Sequence, residues 1–345
     1  GEDANAGALI VVDPNTAEVL ASASYPTFDL STYSADFSAL SADPDKPFVN
    51  RAFMGTYAPG STFKPCTAIA ALSENKIDTG AIITCDGIFT KYESYGSIFH
   101  CWIWGQGRHG DMNVIDAITN SCNYFFYEVG RLTGIQTIDD YADQFGLGRT
   151  TGIEIGDNSG ALASPEYAAA HELDWTDGQT ITAAIGQSYN LFTPLQLSNY
   201  VATLVGGGDH YNAHLLKSVK TYDNSKFIYV YDEPSDNTVS ISPTTLNAVT
   251  KGMHDLTKGS LAGAFSKCVV PAGAKTGSAQ VGTEIANGVF VAYAPFDDPE
   301  IAVSVVIEKG GSGAALASTA VEIINAYFSR DQIGTAIIAE NALIP

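Results

Sequence analysis

The sequence predicts a multilayered α+β fold, with an antiparallel sheet built from both chain ends, helices packed on it, and an all-helical middle subdomain. Residues 8–13 and 18–22 have the apolar composition of two strands joined by a turn. Three further runs near the other end have the length of strands, at residues 272–281, 288–294 and 301–307. Because strands lie at both ends and helical patterns lie between them, one sheet assembled from both termini is expected.

The middle of the chain has helical periodicity. Apolar residues recur at helical spacing over residues 114–130, and a second helix is expected over residues 138–145. A helix that begins near Thr193 and Pro194 should end at three consecutive glycines, residues 206–208. The other expected elements are an irregular crossing at 25–59, a hairpin at 215–222 and 227–231, and helices at 242–256 and 315–328.

No internal repeat or linker divides the chain, so a single domain is expected over residues 1–345. Its parts are an N-terminal hairpin and crossing at 1–60, a mainly helical part at 61–210, and a C-terminal sheet part at 211–345.

Composition and charge exclude some classes of protein. With 45% hydrophobic residues, the chain is typical of a globular protein with a substantial core. Its 17 basic and 38 acidic residues give a formal charge of −21, which argues against nucleic acid or an anionic membrane as the main partner. No apolar run is long enough to span a bilayer. Because the chain starts at Gly1 without a methionine, it is expected to be a processed or excised part of a longer protein.

Ser61 and Lys64 form a Ser-x-x-Lys pattern at the predicted start of a helix. Pro59 and Gly60 break the preceding segment, so Ser61 should lie at or beside the helix N-terminus. The spacing places both side chains on one helical face, where a neutral lysine can take the serine proton. Free N–H groups at the helix start can hold a developing oxyanion. A second Ser-x-x-Lys, at residues 73–76, lies at the polar end of the same helix and is interpreted as surface.

Two later motifs complete the pattern. Ser121 and Asn123 form Ser-x-Asn within the helical region, although this triplet recurs elsewhere in the chain and is uninformative alone. Lys275, Thr276 and Gly277 form Lys-Thr-Gly, which occurs once and opens a predicted strand. A glycine there lets another backbone approach closely, as a substrate lying beside the strand would require.

In this order, the three motifs are similar to the set found in class A β-lactamases and penicillin-binding proteins. The chain resembles the transpeptidase domain of class B penicillin-binding proteins, monofunctional enzymes that cross-link peptidoglycan. Ser188 stands where the family commonly has glycine, and Ser278 stands where it commonly has threonine, which keeps the hydroxyl. The resemblance runs from residue 7 to residue 330, and its other landmarks are residues 7–13, 26–29, 50–52, 59–60, 184–187 and 193–197.

The resemblance implies acyl transfer from a stem peptide ending in D-Ala-D-Ala through a serine ester. Ser61 would be the nucleophile and neutral Lys64 its base, with the pKa of Lys64 lowered by burial near Lys275. The backbone N–H groups of Ser61 and Ser278 would form the oxyanion hole. Ser121 would relay the proton to the leaving D-Ala nitrogen.

The remaining motif residues are assigned to substrate binding by the same resemblance. Asn123 would hold the substrate amide and Lys64 in place. The site for the terminal carboxylate would be formed by Lys275, Thr276, Gly277 and Ser278. This site combines one positive charge with two hydroxyl donors. Remote carboxylates of this acidic chain are screened over a Debye length of about 8 Å, so a lysine in contact still attracts the substrate.

Partners and location follow from the resemblance alone. β-Lactam antibiotics would acylate the same serine. The parent protein would carry a membrane anchor and a non-catalytic module ahead of this domain, at the extracytoplasmic face of the bacterial cytoplasmic membrane. A cell-wall glycosyltransferase would be its partner. No cofactor is implied.

Several alternatives remain open. A serine β-lactamase or β-lactam sensor shares the three motifs, and it would need a carboxylate such as Glu166 or Glu172 to activate water; Glu166 is more simply an acidic residue at a helix start. A D,D-carboxypeptidase differs only in preferring water to an amine. An inactive scaffold of the same fold is disfavoured by the intact motif set. A Ser-His-Asp hydrolase is disfavoured because no Gly-x-Ser-x-Gly occurs, and His109 and His171 are interpreted as surface or packing residues.

The five cysteines are an odd number and have no close-spaced zinc pattern. Cys85 and Cys101 flank a segment rich in glycine and aromatic residues, so a disulfide between them remains open. His100 and His109 lie near Cys101, which leaves a metal site open as well. The simplest interpretation is that the cysteines are reduced and packed, and the predicted site contains no metal.

Overall fold

The computed structural model describes residues 4–279 and 285–329, and a mixed set of strands and helices makes the fold α+β. The strands are β1 (Gly7–Val12), β2 (Val19–Tyr25), β3 (Ile83–Cys85), β4 (Ile88–Phe89), β5 (Phe99–His100), β6 (Gly110–Met112), β7 (Asp209–His210), β8 (Ser218–Lys220), β9 (Phe227–Val230), β10 (Asn237–Thr238), β11 (Gly273–Ala279), β12 (Asn287–Ala294) and β13 (Ile301–Ile307).

Five of these strands form one antiparallel sheet in the order β11-β12-β13-β1-β2. The first strand, β1, lies between β2 and β13, with Leu9 opposite Ala23 on one side and Val305 on the other. The expected sheet from both ends of the chain is therefore confirmed. Residues 280 and 281 of the predicted strand 272–281 lie outside the described residues, as does residue 330 at the end of the resemblance.

The helices are α1 (Tyr33–Ala42), α2 (Lys64–Ser73), α3 (Val114–Thr119), α4 (Asn123–Thr133), α5 (Ile135–Gln144), α6 (Pro165–Ala170), α7 (Asp177–Ala183), α8 (Pro194–Val205), α9 (Pro243–Lys258), α10 (Ala262–Phe265) and α11 (Ala317–Ser329). Short 3-10 turns occupy Gly60–Phe63, Glu93–Tyr95 and Gly313–Leu316. None of the helices in the described ranges is both long and apolar enough to cross a membrane.

Two expectations about helices are wrong. The crossing at residues 25–59 contains α1, which has no buried residue and so gives no apolar stripe for a sequence pattern to reveal. The single helix expected over residues 114–130 is two helices, α3 and α4, because Ser121 between them has a left-handed backbone with φ +52°. The hairpin of β8 and β9 is confirmed.

The sheet separates two hydrophobic cores, since successive residues of a strand point to opposite faces. Ile10 of β1 packs in the larger core with α8 and the other middle helices, whereas Val11 packs in the smaller core with α11. Helix α2 runs through the larger core, with every residue from Lys64 to Leu72 buried. The 3-10 turn Gly60–Phe63, which leads into α2, contacts β11 at the edge of the sheet, and this junction positions the site described next.

Candidate active site

The candidate nucleophile, Ser61, lies in the 3-10 turn Gly60–Phe63, which continues directly into α2. Gly60 permits this turn because its φ is +53°, a conformation that side chains disfavour. The Lys64 backbone N–H donates to the Ser61 carbonyl, so the turn and the helix are continuous. The expected helix-start position of Ser61 is confirmed, with the hydroxyl on a half-buried residue at the edge of a cleft.

Lys64 is fully buried, and its ammonium group points toward the second motif. Its Nζ donates to Asn123 Oδ1 at 2.7 Å and to the Ser121 carbonyl at 2.8 Å, and lies 3.3 Å from Ser121 Oγ. Burial lowers the pKa of Lys64 to about 8, because the charged form loses its hydration. A large fraction of Lys64 can therefore be neutral at a mildly alkaline pH and accept a proton.

Ser121 lies in the break between α3 and α4, with its side chain directed at both lysines. The next helix begins at once, since Cys122 is its N-cap and accepts the Phe125 N–H. Ser121 Oγ accepts a hydrogen bond from Lys275 Nζ at 2.9 Å. A hydroxyl that accepts from lysine retains its own proton for donation, which is the arrangement that a proton relay requires.

Lys275 lies on β11, the edge strand of the sheet, and is fully buried behind the cleft surface. Besides Ser121, its Nζ contacts the carbonyl of Thr276 at 3.2 Å. Burial, followed by the nearby charge of Lys64, lowers the pKa of Lys275 well below its ordinary value. Two lysines thus share one buried space, and each disfavours the charge of the other.

Strand β11 and the nucleophile turn approach each other through their backbones. A Cβ atom added at Gly277 would lie 2.4 Å from the Pro59 carbonyl oxygen, which explains the glycine of Lys-Thr-Gly. A Cβ atom added at Gly60 would lie 2.8 Å from the Ser278 carbonyl oxygen and 3.2 Å from its nitrogen. The backbone of Ser278 therefore faces the turn that carries Ser61.

The motif side chains surround a cleft of about 550 Å³. Gly277, Ser278 and Thr276 line one wall, and Ser121 and Asn123 line the opposite wall. Lys275 lies beneath this surface rather than in it. The full lining is Ser61, Trp102, Thr119, Asn120, Ser121, Asn123, Leu256, Gly259, Ser260, Thr276, Gly277, Ser278, Ser312 and Ala314.

No carboxylate is among the described residues that line this cleft. Glu166 lies in the first turn of α6, where Ser164 caps the helix, and it faces a separate cleft with Asp139. Glu172 follows the same helix and is exposed. Neither residue is placed to activate water at Ser61, as the β-lactamase alternative would require.

The sequence analysis missed two residues of this site. Trp102 lines the cleft mouth, half exposed, and its Nε1 donates to the Asn120 carbonyl at 3.1 Å. Gln187 donates from Nε2 to the Ser278 carbonyl at 3.3 Å. Trp102 has no sequence signal beyond its aromatic type. Gln187 lies within a family landmark to which the sequence assigned no role.

The cysteines do not form the disulfide that the sequence left open. All five are free, so Cys85 and Cys101 are not disulfide-bonded in this structure. His100 does not join them, but Cys85, Cys101, His109 and Cys122 place their ligand atoms within 4.8 Å of one another. This group lies directly behind the Ser121 wall of the cleft, since Cys122 separates Ser121 from Asn123.

The family model for the penicillin binding protein transpeptidase domain matches residues 7–328. This chain belongs to that family. It is 30% identical over 338 residues to peptidoglycan D,D-transpeptidase MrdA of Acinetobacter baumannii, a match that covers 91% of this chain and 49% of the relative. It is 30% identical over 362 residues to MrdA of Escherichia coli K12, a match that covers 98% of this chain and 56% of the relative. The chain spans about half the length of the curated relatives it matches.

Solved structures of the family have the same fold. PBP2 of Pseudomonas aeruginosa, in complex with WCK 5153, matches with a TM-score of 0.84 and 27% identity over 97% of this chain and 77% of that chain. Penicillin-binding protein A of Mycobacterium tuberculosis, as its imipenem acyl-enzyme complex, matches with a TM-score of 0.79 and 26% identity. The match covers 93% of this chain and 73% of that chain. The predicted family and fold class are confirmed.

The lowered pKa of Lys64 predicts how acylation should depend on pH. If neutral Lys64 takes the Ser61 proton, the second-order rate constant for acylation by a penicillin should rise about tenfold per pH unit below pH 8 and level off above it. The measurement is stopped-flow acylation across this range, with circular dichroism at each pH to verify folding. A rate that falls as the pH rises through 8 would mean that Lys64 acts as a cation instead.

Proposed function

We propose that this chain is the catalytic part of a peptidoglycan D,D-transpeptidase that cross-links stem peptides through a Ser61 acyl-enzyme. The observation that carries the proposal is the buried contact of Lys64 and Lys275 with the single hydroxyl of Ser121, beside Ser61 and at the wall of an open cleft. An inactive scaffold has no need to bury two lysines, since each buried lysine disfavours folding unless its polar atoms are paired.

In the first half-reaction, neutral Lys64 accepts the Ser61 proton as Ser61 Oγ attacks the carbonyl carbon of the penultimate D-Ala. The backbone N–H groups of Ser61 and Ser278 hold the oxyanion, and each such donor contributes on the order of 3 kcal/mol in enzymes where one has been removed. The tetrahedral intermediate then collapses, the C–N bond breaks, and Ser121 donates a proton to the leaving nitrogen. Lys64, in hydrogen-bond reach of Ser121, returns the proton to its hydroxyl.

In the second half-reaction, the amine of another stem peptide attacks the ester carbonyl and Ser61 leaves with a proton. Water in place of the amine would give D,D-carboxypeptidase activity at the same site. The hydroxyls of Thr276 and Ser278 bind the terminal carboxylate at the cleft wall, and Lys275 supplies positive charge from beneath when it is protonated. Asn123 holds Lys64 and donates to the substrate amide.

The proposal includes the surroundings of the parent protein. β-Lactams would acylate Ser61, and the mycobacterial relative named above forms an acyl-enzyme complex with imipenem. A further relative, 28% identical, comes from a peptidoglycan synthase complex that coordinates polymerization and crosslinking, which supports a glycosyltransferase as partner. The substrate places the catalytic site at the extracytoplasmic face of the membrane in an anchored parent protein.

The test is an exchange reaction with a synthetic peptide that ends in L-Lys-D-Ala-D-Ala and a labelled D-amino acid as amine. Mass spectrometry should detect release of D-Ala and incorporation of the labelled acid, both absent in Ser61→Ala. Release without incorporation, at any amine concentration, would assign the chain as a carboxypeptidase. Neither product from folded protein would overturn the proposal.

A further inference from the structure

The cleft continues past the motif residues, in the direction that leads away from Ser61. On β11, Ser278 faces the nucleophile turn, and Thr276 lies two residues nearer the start of the strand. Ala272 directly precedes this strand, and its carbonyl accepts a hydrogen bond at 3.1 Å from Thr257 Oγ1 in the last turn of α9. The C-terminal end of α9 therefore lies at the start of β11, beyond Thr276 as seen from Ser61.

Two helix ends form the walls of this part of the cleft, which we call the distal pocket. Its lining residues belong to the end of α3 and the end of α9, and are Thr119, Asn120, Leu256, Gly259 and Ser260. Thr119 Oγ1 donates to the Gly252 carbonyl of α9 at 3.1 Å. The helices also cross closely at Gly252, where an added Cβ atom would lie 2.8 Å from Ile118 Cβ. Direct contacts between α3 and α9 therefore fix the two walls relative to each other.

The distal pocket is polar and carries no charge among the described residues that line it. Asn120 and Ser260 are exposed. Asn120 Nδ2 donates to the Asp116 carbonyl at 2.9 Å, which leaves Oδ1 to accept a hydrogen bond from a ligand. Trp102 Nε1 donates to the Asn120 carbonyl at 3.1 Å and so holds this residue at the wall of the cleft. A neutral lining favours a neutral amine, whereas a carboxylate would hold the amine as an ammonium ion without a lone pair for attack.

The proposed reaction places its leaving group next to this pocket. Ser121 gives a proton to the leaving nitrogen, and it directly follows Asn120 of the distal pocket. The terminal carboxylate binds at Thr276, between Ser61 and the pocket. The leaving residue therefore points from Ser61 toward the distal pocket. By microscopic reversibility, the nitrogen that attacks the ester takes the position of the nitrogen that left.

We propose that the distal pocket binds the acceptor, which is the second stem peptide, and that Asn120 and Ser260 contact its chain beside the attacking amine. This inference rests on the transpeptidase function proposed above. The ligand is a primary amine on an uncharged part of a peptide chain. Asn120 Oδ1 accepts a peptide N–H of this ligand, and the Ser260 hydroxyl donates to a peptide carbonyl.

Transfer to the acceptor is balanced without any further reactant. The amine nitrogen forms an amide bond with the carbonyl carbon, and the bond from that carbon to Ser61 Oγ breaks. The amine loses one proton, which passes through Ser121 and Lys64 to Ser61 Oγ. Water competes for the same ester, and a positioned amine prevails because fixed orientation is equivalent to an effective concentration on the order of 10⁵ M or more. Occupation of the distal pocket therefore decides between cross-linking and hydrolysis.

The test measures how one acyl-enzyme divides between amine and water. The donor is the thioester N-benzoyl-D-alanyl thioglycolate, which acylates Ser61 with loss of a thiol. The acceptors are two synthetic tripeptides, L-Ala-γ-D-Glu-L-Lys and its counterpart with meso-diaminopimelate as the third residue. Mass spectrometry gives the ratio of transfer product to hydrolysis product. Because both products come from the same acyl-enzyme, this ratio does not depend on how fast Ser61 is acylated.

A bulky residue in the distal pocket should exclude the acceptor and still admit water. Ser260→Tyr should lower the ratio of transfer to hydrolysis about tenfold, with whichever tripeptide the wild-type chain uses better. Ser266→Tyr is the matched control, because Ser266 is exposed at the end of α10 and lies outside the cleft, and its ratio should equal that of the wild type. If Ser260→Tyr fails to fold, Ser260→Leu replaces it.

Asn120→Ala tests the other wall of the pocket through a different quantity. It should raise the acceptor concentration for half-maximal transfer about fivefold and leave the transfer rate at saturating acceptor unchanged, because it removes a binding contact and no proton donor. Displacement of the neighbouring Ser121 would lower the saturated rate instead, and this result would contradict the role of Asn120 in acceptor binding.

The outcomes separate this inference from the function on which it rests. Equal ratios in Ser260→Tyr and Ser266→Tyr, with transfer in both, would overturn the distal pocket as the acceptor site and leave the transpeptidase function standing. Hydrolysis without transfer by the wild type, with both tripeptides, would overturn both. A failure of the folded wild type to form any acyl-enzyme would contradict the proposed function, and the inference would fall with it.

Discussion

Acylation by penicillin should slow by on the order of a thousand-fold in Lys64→Met, because this change removes the base that takes the Ser61 proton. Methionine is close to lysine in length and is apolar, so it suits a fully buried position. Loss of the ammonium also leaves Asn123 Oδ1 and the Ser121 carbonyl without their shared donor. The measurement is the second-order acylation rate constant, followed by intact-protein mass.

The chain provides a matched control in its second Ser-x-x-Lys pattern. Lys76 is exposed in the turn that follows α2, outside the cleft. Lys76→Met should therefore acylate at the wild-type rate. If Lys64→Met and Lys76→Met acylate alike, Lys64 is not the base.

Gly186→Ala should slow acylation about a hundred-fold and lower the melting temperature, because it displaces the turn that carries Ser61. A Cβ atom at residue 186 would lie 2.1 Å from the Gly60 carbonyl oxygen and 2.8 Å from Phe63 Cβ. Both are atoms that cannot move without shifting the nucleophile turn. The backbone at Gly186 also has φ +76°, which disfavours any side chain by about 1 to 2 kcal/mol.

The variant Gly134→Ala separates the steric effect of an added Cβ atom from the strain of a positive φ. Gly134 has a similar φ of +80°, but no heavy atom lies within 4 Å of its added Cβ. This variant should lose stability from backbone strain alone, because a φ of +80° with a ψ of 152° is disfavoured for any side chain, and it should keep its acylation rate. Equal acylation rates in the two alanine variants would contradict the account of the backbone contact between residues 60 and 186.

Local features of the fold were predictable from the sequence. The start of α8 at Thr193 was expected, and it is fixed by a capping box in which Thr193 Oγ accepts the Gln196 N–H and Gln196 Oε1 accepts the Thr193 N–H. The Ser61 turn was also predictable, because it too depends on residues close in sequence, Pro59 and Gly60. Apolar runs of strand length were enough to place β11, β12 and β13 in one sheet.

Features that depend on distant contacts were not predictable. Ser121 has a left-handed backbone between α3 and α4, and its hydroxyl contacts two lysines from α2 and β11. Neither lysine is near Ser121 in sequence, so the break was not visible in the helical pattern. The group around Cys101 was left open because its four members have irregular spacing. Short strands and helix α3 lie between them, and only the complete fold brings their side chains together. Helix α1 was missed because its packing buries none of its residues.

The most direct test of the central claim is intact-protein mass after incubation with a penicillin, in wild type and in Ser61→Ala, followed over hours. The account predicts one adduct of the mass of the whole penicillin on the wild-type chain, persisting because no carboxylate of the described cleft lining activates water, and no adduct on Ser61→Ala. An adduct that disappears within seconds while penicillin is consumed would identify a β-lactamase. An adduct on folded Ser61→Ala, or none on folded wild type, would contradict Ser61 as the nucleophile.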